Sequence, residues 1–151
     1  MVTSTPSAAD CVLCREAGGL LILQTPSWRV VRVVDDAFPA FYRLIWAAHV
    51  AEFSDLDTAE RLECMETVTR IERVLREALR PTKVNLATLG NVVPHLHWHV
   101  VARFDWDTHF PNPIWGVPQR GLAEGDAEAR LEVSLAELDR RVLLALRSES
   151  R

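Results

Sequence analysis

From Asp57 to Pro81 the apolar residues of this chain recur every three to four positions, at Leu62, Met65, Val68, Ile71, Val74 or Leu75, and Leu79. That spacing is one face of a helix. Asp57 stands where an N-cap belongs, Glu60 completes a capping box, and Pro81 ends the helix. A helix with one apolar stripe needs a surface to cover. The flanking segments 20–24, 28–34, 41–47, 83–89 and 95–104 supply it, being rich in β-branched and apolar residues and separated by turn residues. The spacing predicts a second helix over 126–147, with Leu131, Leu135, Leu138, Val142 and Leu146 as its stripe. Strands, helix, strands, helix is the order of an α+β fold with an antiparallel sheet.

At 151 residues the chain is long enough for one well-buried domain, read as 1–151. Residues 1–10 read as a loose leader and 105–125 as a long aromatic and proline-rich loop. The net charge of −4 argues against a sequence-independent nucleic-acid binder but not against a small anionic ligand. The first residues, MVTSTPSAAD, lack the basic and apolar regions of a secretory signal. No apolar run approaches the roughly 18 residues of a membrane helix. The expectation is a cytoplasmic protein without membrane partners.

The chemistry is concentrated in a few places. Three of the five histidines, His95, His97 and His99, alternate with Leu96, Trp98 and Val100. On a strand this puts the three imidazoles on one face and the apolar residues on the other. Histidine has no packing reason to recur in this way; it serves proton transfer, nucleophilic attack or metal ligation near neutral pH. Cys11 and Cys14 form a C-x-x-C pair, which in a reducing compartment reads as a metal half-site or redox pair. With His49 and one member of the triad they would make a tetrahedral zinc site. Cys64 falls in the helical pattern and reads as a small buried residue. Asn85 and Asn91 lie where they could reach phosphates. Trp106, His109 and Trp115 could wall a pocket.

The run His95-Leu96-His97-Trp98-His99-Val100-Val101 resembles the signature of the histidine triad (HIT) superfamily, and the likeness extends over roughly residues 11–104. The resemblance implies a homodimer around an antiparallel sheet with a long helix, acting on nucleotides. It implies that the middle histidine, His97, attacks the α-phosphorus to give a nucleotidyl-histidine that water resolves. His99 would then hydrogen-bond phosphate and His95 would complete the catalytic triad. In the relatives that carry zinc, the C-x-x-C pair, a later histidine and the first triad histidine are the ligands, which assigns Cys11, Cys14, His49 and His95. Asp36 resembles the family's ribose-binding acidic residue, with Asp35 its neighbour and competitor. No magnesium requirement is implied, since no carboxylate cluster accompanies the triad.

The chain also departs from the family pattern. Val92 stands where many relatives carry a serine or threonine that helps the leaving group depart. Phe41 and Tyr42 stand where a Pro-Gly-His entry to the third strand is usual. The reading is therefore a nucleotidyl hydrolase or transferase. The alternatives are a nucleotide-binding module without useful catalysis, and a metal-binding protein whose triad is a ligand cluster.

Overall fold

The structure is a computed structural model and describes residues 7–148. The expected leader over 1–10 lies outside the described residues up to residue 6; Ala8–Asp10 form a single 3₁₀ turn. A one-turn helix α1 (Val12–Arg15) carries the C-x-x-C knuckle, with Cys11 as its N-cap residue. Strands β1 (Leu20–Gln24), β2 (Trp28–Arg32) and β3 (Phe41–Trp46) follow, then α2 (Thr58–Leu79), β4 (Lys83–Ala87), β5 (His97–Arg103), α3 (Asp126–Ala129) and α4 (Leu135–Arg147). The strands form one antiparallel sheet in the order β1-β2-β3-β5-β4, as an α+β fold requires. No helix is long and apolar enough to cross a membrane.

The Asp57 carboxylate accepts from Glu60 N at 2.9 Å and the Glu60 carboxylate accepts from Asp57 N at 2.8 Å, so the capping box forms. Helix α2 buries Cys64, Val68, Ile71, Leu75 and Leu79 against the sheet. Leu62, expected in the stripe, is exposed, because Cys64 and Thr67 turn the buried face away from it. Burial pushes the Cys64 thiol up to about 12, consistent with a packing residue.

Both faces of the sheet centre are covered. Val30 and Val31 are adjacent and both fully buried, Val30 under the helices and Val31 with Cys11, Leu13 and Ile45. This double burial explains why adjacent residues of β2 are both apolar. Tyr42, Leu44, Trp46, Val100 and Ala102 face the helices. The cross-strand pairs Arg43↔His99 and Ile45↔His97 face the other way. The chain passes from α1 into β1 through Gly18, at φ +83°, and Gly19, where a Cβ would lie 2.6 Å from Arg32 O. Only glycine suits this pair.

The helix expected over 126–147 is two helices. Residues 130–134 leave helical form so that Leu131 and Val133 can pack on the core. Ser134 then restarts the chain as an N-cap, its Oγ accepting from Glu137 N at 3.1 Å. Helix α4 is fastened to the sheet by Asp139. Its carboxylate accepts from Arg32 Nε at 2.9 and 3.1 Å and from Tyr42 Oη at 2.7 Å.

Asp139→Ala strands the buried Tyr42 hydroxyl and the Arg32 guanidinium, so it is expected to cost about 2 kcal/mol in urea unfolding, and Tyr42→Phe about 1 kcal/mol. A loss below about 0.5 kcal/mol for Asp139→Ala would mean that the apolar stripe alone holds α4.

Candidate functional site

Strand β5 begins at His97, not at His95. Before it, His95 N donates to Val93 O at 2.8 Å and Leu96 N to Val50 O at 2.8 Å, so the chain turns tightly into the strand. Of the three histidines expected on one strand face, only His97 and His99 are there. The His95 ring is drawn into a cluster with the knuckle of α1.

In that cluster, one potential ligand atom from each of Cys11, Cys14, His49 and His95 lies within 4.8 Å of every other. His95 Nδ1 is 3.4 Å from Cys11 Sγ, 3.5 Å from Cys14 Sγ and 3.3 Å from His49 Nδ1, and His49 Nδ1 is 3.3 Å from Cys14 Sγ. A tetrahedron with zinc–sulfur and zinc–nitrogen bonds of ordinary length has edges of about 3.3–3.8 Å. The His95 tautomer also fits. Its Nε2 lies 2.7 Å from Trp46 O. A carbonyl only accepts, so Nε2 carries the proton and Nδ1 presents its lone pair to the cluster. The knuckle is held independently by Arg29, which donates to Leu13 O, Glu16 O and Ala17 O at 2.7–2.9 Å. Burial and the Cys11 thiol raise the Cys14 pKa, while the Arg29 charge opposes them. These residues fit a bound zinc ion. Of the three triad histidines, only His95 joins a metal-type group among the described residues.

His97 and His99 line a cleft of about 630 Å³ walled by Val12, Leu13, Leu89, Val93 and Trp115. Asn91 and Val92 stand at its lip, and Glu16 and Arg43 supply its charged groups. His97 Nδ1 is 2.5 Å from His95 O, so it donates there, leaving Nε2 as the unprotonated nitrogen. The His97 carbonyl is held by Thr88 Oγ1 at 2.7 Å. Burial lowers the pKa of His97, and burial followed by the charges of His97 and Arg43 lowers that of His99 to about 3. The His99 ring packs edge-on against His97, with centroids 4.9 Å apart, and against Trp115 at 5.0 Å.

Other expected residues stand elsewhere. Asn85 shares this sheet face, but its Oδ1 accepts from Arg103 Nη1 at 2.8 Å and it does not line the cleft. Arg103 is fully buried and also pairs with Asp107 through two bonds of 2.8 and 3.0 Å. Asp36 is outside the cleft lining, where its carboxylate accepts from Gly125 N at 2.9 Å. Asp35 closes its own turn by accepting from Ala37 N and Phe38 N. Trp106 stacks on Phe104 under Arg130, and His109 packs against Phe38, so of the three expected pocket walls only Trp115 lines the cleft. Arg43 was missed by the sequence reading. Its signal was a lone arginine in the otherwise apolar run FYRLIW.

The HIT domain family model matches residues 15–106, which begins just after the C-x-x-C pair. Among solved structures, the histidine triad protein of Bradyrhizobium japonicum is 31% identical, with 83% of this chain and 92% of that one covered and a TM-score of 0.67. A histidine triad (HIT) protein of Sinorhizobium meliloti is 22% identical, covering 93% and 100% with a TM-score of 0.68. A zinc-bound histidine triad family protein of Mycobacterium smegmatis is 20% identical, covering 93% and 95% with a TM-score of 0.60. No curated protein matches the chain.

Two outcomes are expected. Protein purified with zinc should hold one ion per chain by elemental analysis, and Cys11→Ser should lose it together with several degrees of melting temperature; retained metal would remove Cys11 from the ligand set. The second concerns acid. Unfolded His99 protonates near ~6.5, whereas the folded residue stays neutral down to about 3. The unfolded state therefore takes up the proton first, and stability falls as pH drops through that window. His99→Phe should flatten the decline in unfolding free energy below about pH 6.5; an unchanged slope would mean that His99 is not held neutral.

Proposed function

The chain belongs to the histidine triad family, and on that premise we propose that it binds a nucleotide conjugate in the cleft and cleaves it at the α-phosphate through a nucleotidyl-His97 intermediate. The observation that supports this most is the bond from His97 Nδ1 to His95 O at 2.5 Å. It fixes the tautomer that makes Nε2 a nucleophile. In the first step Nε2 attacks phosphorus, a P–N bond forms, and the bond to the leaving group breaks with its electron pair. In the second, water attacks the same phosphorus, the P–N bond breaks, and the electron pair returns to Nε2. Water's proton passes to solvent, and a nucleoside monophosphate departs. A phosphoryl acceptor in place of water would make the same chemistry a transfer.

His99, beside His97 in the cleft, is proposed to hydrogen-bond the phosphate, and Asn91 at the lip to reach it. Cys11, Cys14, His49 and His95 are proposed to hold zinc, which would supply rigidity by fastening the α1 knuckle to the start of β5. Magnesium is not expected to be needed, because Glu16 is the one carboxylate of the cleft lining. A homodimer in the cytoplasm completes the reading; β4 is an edge strand with Leu86 exposed, a surface open to pairing.

One observation favours a second reading, a nucleotide-binding module without useful turnover. The described cleft lining contains no hydroxyl, with Val92 exposed at its lip. Nothing there replaces the serine or threonine that aids departure in many relatives.

The test is AMP release from a diadenosine polyphosphate and from adenosine 5′-phosphoramidate, with magnesium omitted. The wild type should release AMP, and His97→Asn should be slower by about 10³-fold or more with its fold intact. Equal rates in the two proteins would exclude His97 as nucleophile. AMP binding without release by either would establish the second reading.

A further inference from the structure

Three arginines reach the sheet face that carries His97 and His99, and they are not alike. Arg29 donates to three backbone carbonyls of the α1 knuckle. Arg103 uses four donor bonds, to both oxygens of Asp107, to Asn85 Oδ1 and to Asn112 O. Arg43 has one long bond, from Nη1 to Gly18 O at 3.3 Å. Its Nε is buried without a partner, and no ion pair among the described residues includes it. Its guanidinium lies over the Phe41 ring at 5.6 Å, a contact that fixes the plane without using the donors. A guanidinium has five N–H donors and stays charged. A part-buried cation with most donors unused is costly unless something anionic completes it.

The position of Arg43 says what that is. It pairs across β3 and β5 with His99, and it lines the cleft with both His97 and His99. We infer that Arg43 is the anion-binding residue of this cleft, its free donors taking the non-bridging oxygens of the substrate's α-phosphoryl group as His97 attacks. The inference rests on the reading of the cleft as a nucleotide site. Its chemical content is that the compensating charge is a permanent guanidinium and not a protonated histidine. The His99 imidazole, with its low proton affinity, enters as a neutral hydrogen-bonding partner. A guanidinium also matches a phosphoryl group geometrically, since two parallel N–H donors meet two oxygens. The group recognised is therefore a phosphoryl centre carrying at least one negative charge, whatever the base beyond it.

The experiment compares AMP with adenosine as calorimetric ligands for the wild type, Arg43→Gln and Arg43→Lys. The wild type should prefer AMP. Arg43→Gln should lose about 10- to 100-fold in AMP affinity with adenosine affinity kept within about twofold. Arg43→Lys, which keeps the charge but not the fork, should recover part of the loss and serves if the glutamine variant does not fold. AMP affinity in Arg43→Gln within about twofold of wild type overturns the inference, as does a parallel loss of AMP and adenosine, which would mark a packing role. Turnover keeps the two readings separate. Normal AMP release with an indifferent Arg43→Gln removes Arg43 and leaves His97 catalysis standing. An AMP preference that depends on Arg43 in a protein without turnover upholds Arg43 and removes the hydrolase.

Discussion

His95 holds three parts of the molecule in register. Its Nε2 donates to Trp46 O at the end of β3, its Nδ1 faces two thiols and a second imidazole, and its carbonyl accepts from His97. The proton on Nε2 makes Nδ1 a ligand, and the carbonyl makes His97 Nδ1 a donor. One residue thus sets the tautomers on both sides of the boundary between cluster and cleft. The metal-type cluster and the cleft strand are a single construction, with His95 turned out of β5 and His97 left as its first residue.

The sheet divides the labour. Its helix face is apolar apart from the Arg32–Asp139–Tyr42 network, and is fixed by α2 and α4. Its other face carries charged and titratable groups, made tolerable by how each is partnered. Arg103 and Asp107, each 2% exposed, satisfy each other where the 105–125 loop leaves β5. That loop carries Trp115 to the edge of His99. Among the described residues the buried side-chain atoms without a partner are Trp98 Nε1, on the helix side, and two in the cleft, Arg43 Nε and His99 Nδ1. A buried donor or ring nitrogen without a partner is a rare condition, and the two in the cleft occur on cross-strand neighbours.

Much of this was legible in the residues. Helix period, capping box and strand composition gave the α+β order, and the pairing of C-x-x-C with His49 and His95 in one cluster follows the sequence reading. The rest depended on contacts between distant segments. Nothing local shows that β5 starts two residues late, because the alternation runs through His95 without interruption. Asn85 and Asp36 have suitable chemistry, but Arg103 and Gly125 N, 18 and 89 residues away, occupy them. Arg43 became visible only once register placed it opposite His99. The break before α4 was readable: Ser134-x-x-Glu137 is a start signal inside a run whose apolar spacing continues across it.

The three carbonyl bonds of Arg29 have a consequence for how a metal ion would come and go. In small metal-dependent folds the unliganded chain is disordered, and ion capture has to organise it. Here the knuckle is clasped by its own arginine, and His95 is anchored at Trp46 O, so the four donors stand assembled on a scaffold that is already folded. Affinity at such a site would be reduced less by an ordering cost than in a chain that folds around its ion. An ion held there would have its nearest route to solvent at the exposed Cys14, since Cys11 and His95 are buried.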